Sequence, residues 1–256
     1  MARKIKGKIV SVLVVAFLVA IIVLPLLVVF LLSIVPRWST AFPTSFSLEW
    51  WMAAFKPKIL KIVLNTILIS LTSTAITVCY GIAAAYLFAF YEFRGKSTLS
   101  TLLLSPTYVP GIVIALGLLT MYPFLRNTFW MLSLGHFIVV SPIVFRYILS
   151  SMVNIPPSIV EASYSLGCSR IESFRRIILP LSRRGIFSGT ILSIGMNVSE
   201  LSVTLLLFGA NWVTLPVQIY LERGWGTLGI AAVLSTILIL VALATMMVVD
   251  FLGRSS

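Results

Sequence analysis

The chain has 256 residues, of which 59% are hydrophobic and only 10% are charged, and its mean hydropathy is +1.09. A soluble domain carries about 25% charged residues, so these values exclude a soluble globular protein and indicate a membrane protein with several spans. The 19 Lys and Arg residues outnumber the 7 Asp and Glu residues, for a formal net charge of +12. In a membrane protein this excess indicates basic cytoplasmic loops rather than nucleic-acid binding. Two cysteines and one histidine are too few for a disulfide scaffold or a Cys/His metal cluster.

Six apolar segments are long enough to cross a hydrocarbon core of about 30 Å, which requires about 20 residues in a helix. The predicted spans are Ile9–Val35, Ile62–Phe90, Leu99–Tyr122, Phe129–Met152, Ile186–Phe208 and Leu228–Phe251. The first follows a basic N-terminus, but its apolar run is longer than the roughly 7–15 residues of a signal peptide, and no small-residue cleavage site follows it. We therefore expect a retained first span and an all-α protein with six transmembrane helices.

The positive charges favour one orientation of these spans. With the N-terminus in the cytoplasm, 12 Lys and Arg residues lie on the inner side and 6 on the outer side, while Arg146 lies near the inner end of the fourth span. Both termini are then cytoplasmic. Of the long connections, Pro36–Lys61 and Gly209–Thr227 are outside and Val153–Gly185 is inside. The first of these is rich in aromatic residues and is expected to lie along the membrane interface; its aromatic residues are Trp38, Trp50, Trp51 and Phe55.

The inner loop begins with signals for a short helix. Pro157 suits the first helical turn, and Gly167 suits a left-handed C-terminal cap, so we expect a helix over Pro157–Leu166. Glu161 is early enough in it to complement the helix dipole. This first limb presents apolar side chains, namely Ile159, Val160 and Leu166.

A second set of signals follows in the same loop. Ser169 and Glu172 have the spacing of a capping box, which predicts a helix over Arg170–Ile178, and Pro180 is expected to end or kink that helix. On these signals alone, an amphipathic hairpin lying in the lipid headgroups is an equally good interpretation. Its anchors would be the basic residues Arg170, Arg175, Arg176, Arg183 and Arg184.

The full spacing of this loop resembles the EAA signature of ABC-importer permeases: Glu-Ala-Ala, three residues, Gly, nine residues, Ile, any residue, Leu-Pro. The matching residues are Glu161, Ala162, Ser163, Gly167, Ile177, Leu179 and Pro180. The one departure is Ser163, which replaces the second alanine with another small residue. The segment Pro106–Gly111, on the third span, also looks like this family. The resemblance implies a type I importer permease with the MetI-like fold, in which residues 1–256 form a single permease domain in the cytoplasmic membrane.

In that family the short helix before the glycine is the coupling helix, which docks in a groove of a separate ATPase. The chain has no G-x-x-x-x-G-K-[ST] phosphate-binding loop, so we expect it to bind no ATP or other cofactor and assign it no catalytic residues. The resemblance implies that Glu161, Ala162 and Gly167 make the ATPase contact. The later motif residues, Ile177, Leu179 and Pro180, would anchor the second limb against the membrane helices. The implied partners are two ATP-binding cassette ATPase subunits, a second permease subunit, identical or homologous, and an extracytoplasmic substrate-binding protein.

Polar residues inside the spans are candidates for the translocation path, because such residues tend to face a bundle interior or water. On the fifth span they recur on one helical face, at Ser193, Asn197, Glu200 and Thr204. For Asn197 and Glu200 we favour the path over helix packing. For the stripe on the second span we favour packing; it consists of Thr66, Ser70, Ser73 and Thr77. The lone His136 is expected to make an interhelical hydrogen bond, and Cys79 and Cys168 are expected to be unpaired.

The substrate is indicated only weakly. The sequences Trp38-Ser39, Phe46–Trp51 and Glu200–Leu206 look closest to permeases of polyamine, ferric-iron and phosphonate importers. The six basic residues of the outer segments exceed Glu49 and Glu222 by four, which favours an anion such as an organophosphonate, ahead of polyamine or ferric iron. The alternative is an ion-coupled secondary transporter or a channel subunit. A secondary transporter normally has ionisable coupling residues or paired broken helices near the midplane, and Glu200 alone is weak support for it.

Overall fold

The computed structural model describes residues 2–36 and 45–254, which are mostly helical and contain no strand. The helices are α1 (Ala2–Ile34), α2 (Glu49–Ala54), α3 (Pro57–Phe90), α4 (Lys96–Leu104), α5 (Gly111–Met121), α6 (Phe129–Val153), α7 (Pro157–Ser165), α8 (Arg170–Ser173), α9 (Leu179–Leu181), α10 (Arg183–Ser199), α11 (Thr204–Leu207), α12 (Leu215–Gly224) and α13 (Leu228–Arg254). Short 3₁₀ turns occupy Ser105–Tyr108 and Pro123–Leu125, and a π-helical turn occupies Phe174–Ile178.

Four of the described helices are long and apolar enough to cross a membrane, namely Val14–Ile34 within α1, Pro57–Phe90, Phe129–Val153 and Leu228–Phe251. Two further pairs of helices meet the same test together but are bent, the first by 108° and the second by 67°. If each bent pair is counted as one span, the described residues contain six. Four predicted spans therefore correspond to continuous helices. The first bent pair, Lys96–Tyr108 with Gly111–Met121, covers the third predicted span, and the second, Arg170–Leu181 with Arg183–Ser199, overlaps the start of the fifth.

The third predicted span, Leu99–Tyr122, is not one straight helix. Helix α4 and its 3₁₀ turn end at Tyr108, Val109 is extended (φ −100°, ψ 127°), and α5 begins after Pro110 at an angle of 108°. Proline disfavours the helical conformation of the residue before it and has no N–H to donate, so Val109 and Pro110 interrupt the helix. Segment Pro106–Gly111 is thus the break rather than part of a straight helix.

The chain divides into two compact units, and the larger one consists of residues 61–217 and 238–256. One apolar core in this unit joins α3, α6 and the loop that follows α6. In it, Phe88 and Phe145 make an edge-to-face contact with ring centroids 5.3 Å apart, and Ile148, Val160 and Ile178 are buried around them. A second core joins α3, α5, α6 and α11, and its buried members include Ile69, Leu118, Leu132, Val203 and Leu207.

Helices α6 and α10 pack closely because α10 carries two glycines four residues apart. A Cβ at Gly185 would lie 2.3 Å from Ser151 Cβ and 3.2 Å from the Tyr147 carbonyl oxygen. A Cβ at Gly189 would lie at an ordinary 3.5 Å from Ile148. Small residues at this spacing let helix backbones approach closely in membranes. The Gly-x-x-x-Gly pattern was present in the sequence but did not enter our prediction of the site.

The smaller unit comprises residues 1–60 and 218–237. In it, two tryptophans of α2 hold the end of α1: Trp50 Nε1 donates to the Val35 carbonyl (3.1 Å) and Trp51 Nε1 donates to Ser33 Oγ (3.3 Å). Trp38, which we grouped with them, lies outside the described residues. The connection Gly209–Thr227, which we predicted as a loop, contains helix α12.

Candidate functional site

The motif-bearing loop folds as a helical hairpin, residues 157–181, here called the 157–181 hairpin. Its first limb is α7, and Gly167 follows at a φ of 88°, in the left-handed region that glycine adopts without strain. The N–H groups of Gly167 and Cys168 donate to the carbonyls of Tyr164 (2.9 Å) and Ser163 (3.0 Å), which closes the end of the helix. The predicted first helix and its glycine cap are confirmed.

The second limb starts at the predicted capping box. The Glu172 N–H donates to Ser169 Oγ (3.3 Å), and the Ser169 N–H donates to Glu172 Oε2 (2.9 Å). This backbone hydrogen bond from Ser169 holds the pKa of the Glu172 carboxyl below its usual range, because it stabilises the ionised form. The box fixes where the limb begins.

The second limb is bent at its far end. It passes through α8, the π turn Phe174–Ile178 and α9, and α10 then continues at an angle of 67°. Pro180 has no N–H to donate, and its ring crowds the carbonyl of Arg176 four residues earlier, so a wider turn precedes it. The bend that we expected at Pro180 lies two residues later, at Ser182, so the helical stretch runs beyond the predicted end at Ile178.

Two buried serines join the limbs. Ser163 Oγ lies 2.8 Å from Ser173 Oγ and 2.6 Å from the Val160 carbonyl oxygen, and the two serines are only 3% and 0% exposed. An alanine at position 163 would leave the Ser173 hydroxyl buried without its hydrogen-bond partner. The serine that replaces the second alanine of the EAA pattern therefore forms a hydrogen bond between the two limbs, with Ser173.

The opposite side of the hairpin is exposed. Glu161 and Ala162 are exposed, and Leu166 and Ile171 expose 86% and 70% of their surface. Val160, which we placed with the presented apolar residues, is buried in the core instead. This placement was wrong because the start signals of a helix do not specify which of its faces turns inward.

At the end of the motif, the residue that contacts the core is Ile178, which occupies the variable position of the EAA signature. Ile177 and Leu179 are half-buried and Pro180 is exposed, whereas Ile178 between them is fully buried with Val160. Sequence reasoning missed Ile178, because it followed the positions of the signature rather than the face of the helix.

An aromatic cluster ties the hairpin to the end of α3. The rings of Tyr86 and Phe174 have centroids 4.7 Å apart, and Arg170 lies over the Tyr91 ring, with its guanidinium carbon 5.7 Å from the ring centroid. Arg170, which the lipid interpretation assigned to headgroups, is thus engaged with protein. These residues are distant in sequence, so no local pattern pointed to the cluster.

His136 lies at the centre of a buried polar network. Its Nδ1 is 3.2 Å from Asn197 Oδ1, and its Nε2 is 2.7 Å from Thr204 Oγ1. Asn197 Nδ2 also donates to Thr74 (3.1 Å) and Ser193 (3.2 Å), so the network joins α3, α6, α10 and α11. The predicted interhelical hydrogen bond of His136 is confirmed. The structure brings three of the four polar residues of the fifth span together here.

Glu200 does not share that face, and the continuous fifth helix over Ile186–Phe208 is a wrong prediction. Helix α10 ends at Ser199, and Glu200 is extended (φ −68°, ψ 119°). Its carboxylate accepts a hydrogen bond from the Val203 N–H (3.0 Å), just before α11 begins at Thr204. Hydropathy identified the span. It did not reveal the break, which depends on the hydrogen bond between the Glu200 carboxylate and the Val203 N–H.

The polar stripe of α3 is buried and engaged in packing, as we expected. Thr66 Oγ1 accepts a hydrogen bond from the Leu215 N–H (2.8 Å), and Ser73 Oγ donates to the Ser133 carbonyl (3.3 Å). The members Thr66, Ser70, Ser73 and Thr77 are all buried. Cys79 and Cys168 are free thiols, as predicted.

The chain is similar to known transport proteins in sequence. A family model described as "Binding-protein-dependent transport system inner membrane component" matches residues 77–255. The putative 2-aminoethylphosphonate transport system permease protein PhnV of Salmonella typhi is 26% identical over 235 residues, which cover 90% of this chain and 89% of that protein. The spermidine/putrescine transport system permease protein PotC of Haemophilus influenzae is 28% identical over 215 residues, covering 82% and 83% of the two chains.

The fold is also that of solved importers. A bacterial alginate ABC transporter in complex with alginate pentasaccharide-bound periplasmic protein contains a chain that matches with a TM-score of 0.77 at 15% identity, covering 98% of this chain and 96% of that one. The MetI-like fold expected from the motif is thereby confirmed, and the apolar helices are spans of a multi-pass inner-membrane protein. The chain belongs to the family of binding-protein-dependent transport system inner membrane components, and it is a permease component of an ABC importer.

Proposed function

We propose that this permease forms half of a translocation path and receives the energy of ATP hydrolysis from a separate ATPase through the 157–181 hairpin. The observation that carries the proposal is the construction of the hairpin. The face of the hairpin that packs on the core is held by the Ser163–Ser173 pair and by buried Ile178. The opposite face exposes Glu161, Ala162 and apolar residues. A surface whose opposite face is tightly packed on the core can transmit movement of the ATPase to the membrane helices, because packed helices shift as units rather than deform continuously.

The ATPase contact would use the exposed motif residues Glu161, Ala162 and Gly167, together with Leu166 beside them. Buried Ile178, with the half-buried Ile177 and Leu179 of the motif, would hold the second limb against the membrane helices, whereas Pro180 is exposed. The sequence has no phosphate-binding loop, so ATP is a cofactor of the partner and this subunit is not itself an enzyme.

The complete importer would contain two ATP-binding cassette ATPase subunits, a second permease subunit and an extracytoplasmic substrate-binding protein. The name of the matching family and the periplasmic protein in the alginate transporter complex support this composition. We place both termini and the hairpin on the cytoplasmic side, because that side then holds 12 of the Lys and Arg residues. Residues 1–256 would act as one permease domain.

For the substrate we favour an organophosphonate. A relative named for 2-aminoethylphosphonate transport aligns over 90% of the chain, and the basic excess of the outer segments suits an anion. A polyamine is the second candidate, because another relative is named for spermidine and putrescine. Uptake of labelled 2-aminoethylphosphonate by cells with the importer, and competition by excess unlabelled phosphonate but not by spermidine, is the expected result. Competition by spermidine alone would select the second candidate.

The path would include Ser193, Asn197, Glu200 and Thr204. Glu200 is the one of the four that is not buried within the chain, so it is our first choice for direct contact with the solute. The other three would support the helices behind it. Alanine substitution of each residue tests this: loss of transport with intact assembly supports the path, and failure to assemble supports packing.

Copurification with the ATPase tests the coupling proposal. The variant Glu161→Lys is expected to lose most of the ATPase that copurifies with the tagged permease, because it reverses a charge on the contact surface. The control is Glu92→Lys, which reverses another exposed charge outside the hairpin and breaks only a local ion pair with Lys96. Equal ATPase recovery for Glu161→Lys and the wild type would count against the hairpin contact and favour the lipid-facing interpretation.

A further inference from the structure

Arg146 is a charged residue that lies within a membrane span and is exposed. It is seven residues before the end of α6, or about 10 Å at 1.5 Å per residue. Its neighbours Val144, Phe145 and Ile148 are buried in the core, so Arg146 lies on the opposite face of the helix. Within the described part of the chain, no side chain forms an ion pair or hydrogen bond with it. Charged residues inside spans face water-filled pathways or polar partners, because exposure to hydrocarbon is costly.

Two neighbouring clefts meet at Arg146. One has a volume of about 330 Å³ and is lined by Ile143, Arg146, Tyr147 and Ser150. The other has a volume of about 310 Å³, shares Arg146 and Ser150, and extends to Ser100 of α4 and Asn154 after α6. Each is at the lower end of the range of about 300–1,000 Å³ for small-molecule sites. Both are open clefts with room for a small solute.

The lining has the chemistry of an oxyanion site. The guanidinium group offers a planar fork of donors that matches phosphonate or phosphate oxygens, and the hydroxyls of Ser100 and Ser150 add donors of variable direction. None of the described residues lining the two clefts is acidic, so the charge of Arg146 is not neutralised there. Leu104 and Leu149 supply apolar surface for a short carbon chain.

We propose that Arg146, with Ser100 and Ser150, binds the phosphonate group of the solute as it passes the end of α6 nearer the hairpin. The proposal rests on the function proposed above, in which this chain forms half of a path for organophosphonates. It assigns a specificity role to a residue outside the EAA motif and outside the polar face of the fifth span. The phosphate group of an anionic lipid has the same chemistry, so the experiment must separate the two sources.

The test uses the complete importer in proteoliposomes, with 2-aminoethylphosphonate as the probe and the ATPase activity stimulated by the loaded binding protein as a second readout. For Arg146→Gln we expect at least a tenfold lower rate of uptake at saturating probe, since a charge-assisted contact is lost. Stimulated ATPase activity and subunit copurification are expected to remain within twofold of wild type. Arg146→Lys should recover part of the rate. The control Arg94→Gln, which removes an exposed arginine of the α3–α4 turn, should transport normally.

Each contrary result has a distinct meaning. If the wild type does not take up the probe, the importer does not transport this phosphonate, and both the proposed substrate and the proposed role of Arg146 are refuted. If the wild type transports and Arg146→Gln transports equally well, only the inference is overturned. If wild-type uptake falls to the Arg146→Gln level when phosphatidylglycerol is left out of the vesicles, Arg146 binds lipid and the proposal is wrong. Should Arg146→Gln fail to assemble, Ser150→Asp decides: it puts a carboxylate one turn from Arg146, and unchanged uptake would overturn the proposal.

Discussion

The close contact between α6 and α10 allows a sharp prediction for Gly185→Ala. The added Cβ would lie 2.2 Å from Ser151 Oγ and 2.3 Å from Ser151 Cβ. Rotation of the serine side chain can remove the first clash but not the second, because the position of Cβ is set by the backbone. Carbon atoms are in favourable contact at about 3.5–4.0 Å, so the helices must separate locally by more than an ångström. Overpacking of this kind costs about 1–3 kcal/mol.

The assay is thermal unfolding of the detergent-solubilised permease, followed by its size-exclusion profile after heating. A loss of about 1–3 kcal/mol corresponds to a midpoint lower by about 2–12 °C for a chain of this length. Gly189→Ala is the matched control on the same helix face, because its Cβ would meet Ile148 at an ordinary 3.5 Å. Its midpoint should equal or exceed that of the wild type, since alanine is the better helix former.

A double variant tests the reasoning itself. Ser151→Gly removes the atoms that Gly185→Ala would strike, but a glycine inside α6 itself costs about 1 kcal/mol. The double variant should therefore lose less stability than the sum of the two single losses. If Gly185→Ala and Gly189→Ala have the same midpoint, or if the two single losses simply add, the helices are not held at this distance and the argument from close packing is refuted.

Three further substitutions are expected to affect stability in the same assay. Replacement of His136 by Phe should destabilise by about 1–3 kcal/mol for each buried group left unpaired, and a midpoint equal to wild type would show that the network contributes nothing. Gly167→Ala should cost about 1–2 kcal/mol because of its positive φ, whereas Gly117→Ala, in open space on α5, should be neutral or stabilising; the reverse order would contradict the assigned cap. Ser163→Ala should cost about 1–2 kcal/mol, and Ser163→Ala with Ser173→Ala should regain part of it; an additive loss would mean that the two hydroxyls are not coupled.

Local signals in the sequence predicted local structure well in the hairpin. Pro157, Gly167 and the Ser169–Glu172 box act through neighbours within a few residues, so their positions alone specify a helix start or end. Hydropathy did not reveal that the helices end at Val109 and Glu200, because an average over about 20 residues is insensitive to one extended residue inside an apolar segment. A proline pair could have indicated the first break. The second depends on the Glu200 side chain bonding to the Val203 N–H, which no composition average contains.

The several membrane crossings, the importer-permease family and the helical hairpin with the EAA spacing all follow from composition and short-range order, so the amino-acid order alone was enough to predict them. The contacts between helices required the folded structure: Ser163 with Ser173, His136 with Asn197 and Thr204, and Gly185 with Ser151. The same holds for Arg146, which faces a cleft while its neighbours on α6 are buried. Helical spacing specifies which side chains share a face, but what that face contacts depends on how the other helices pack against it.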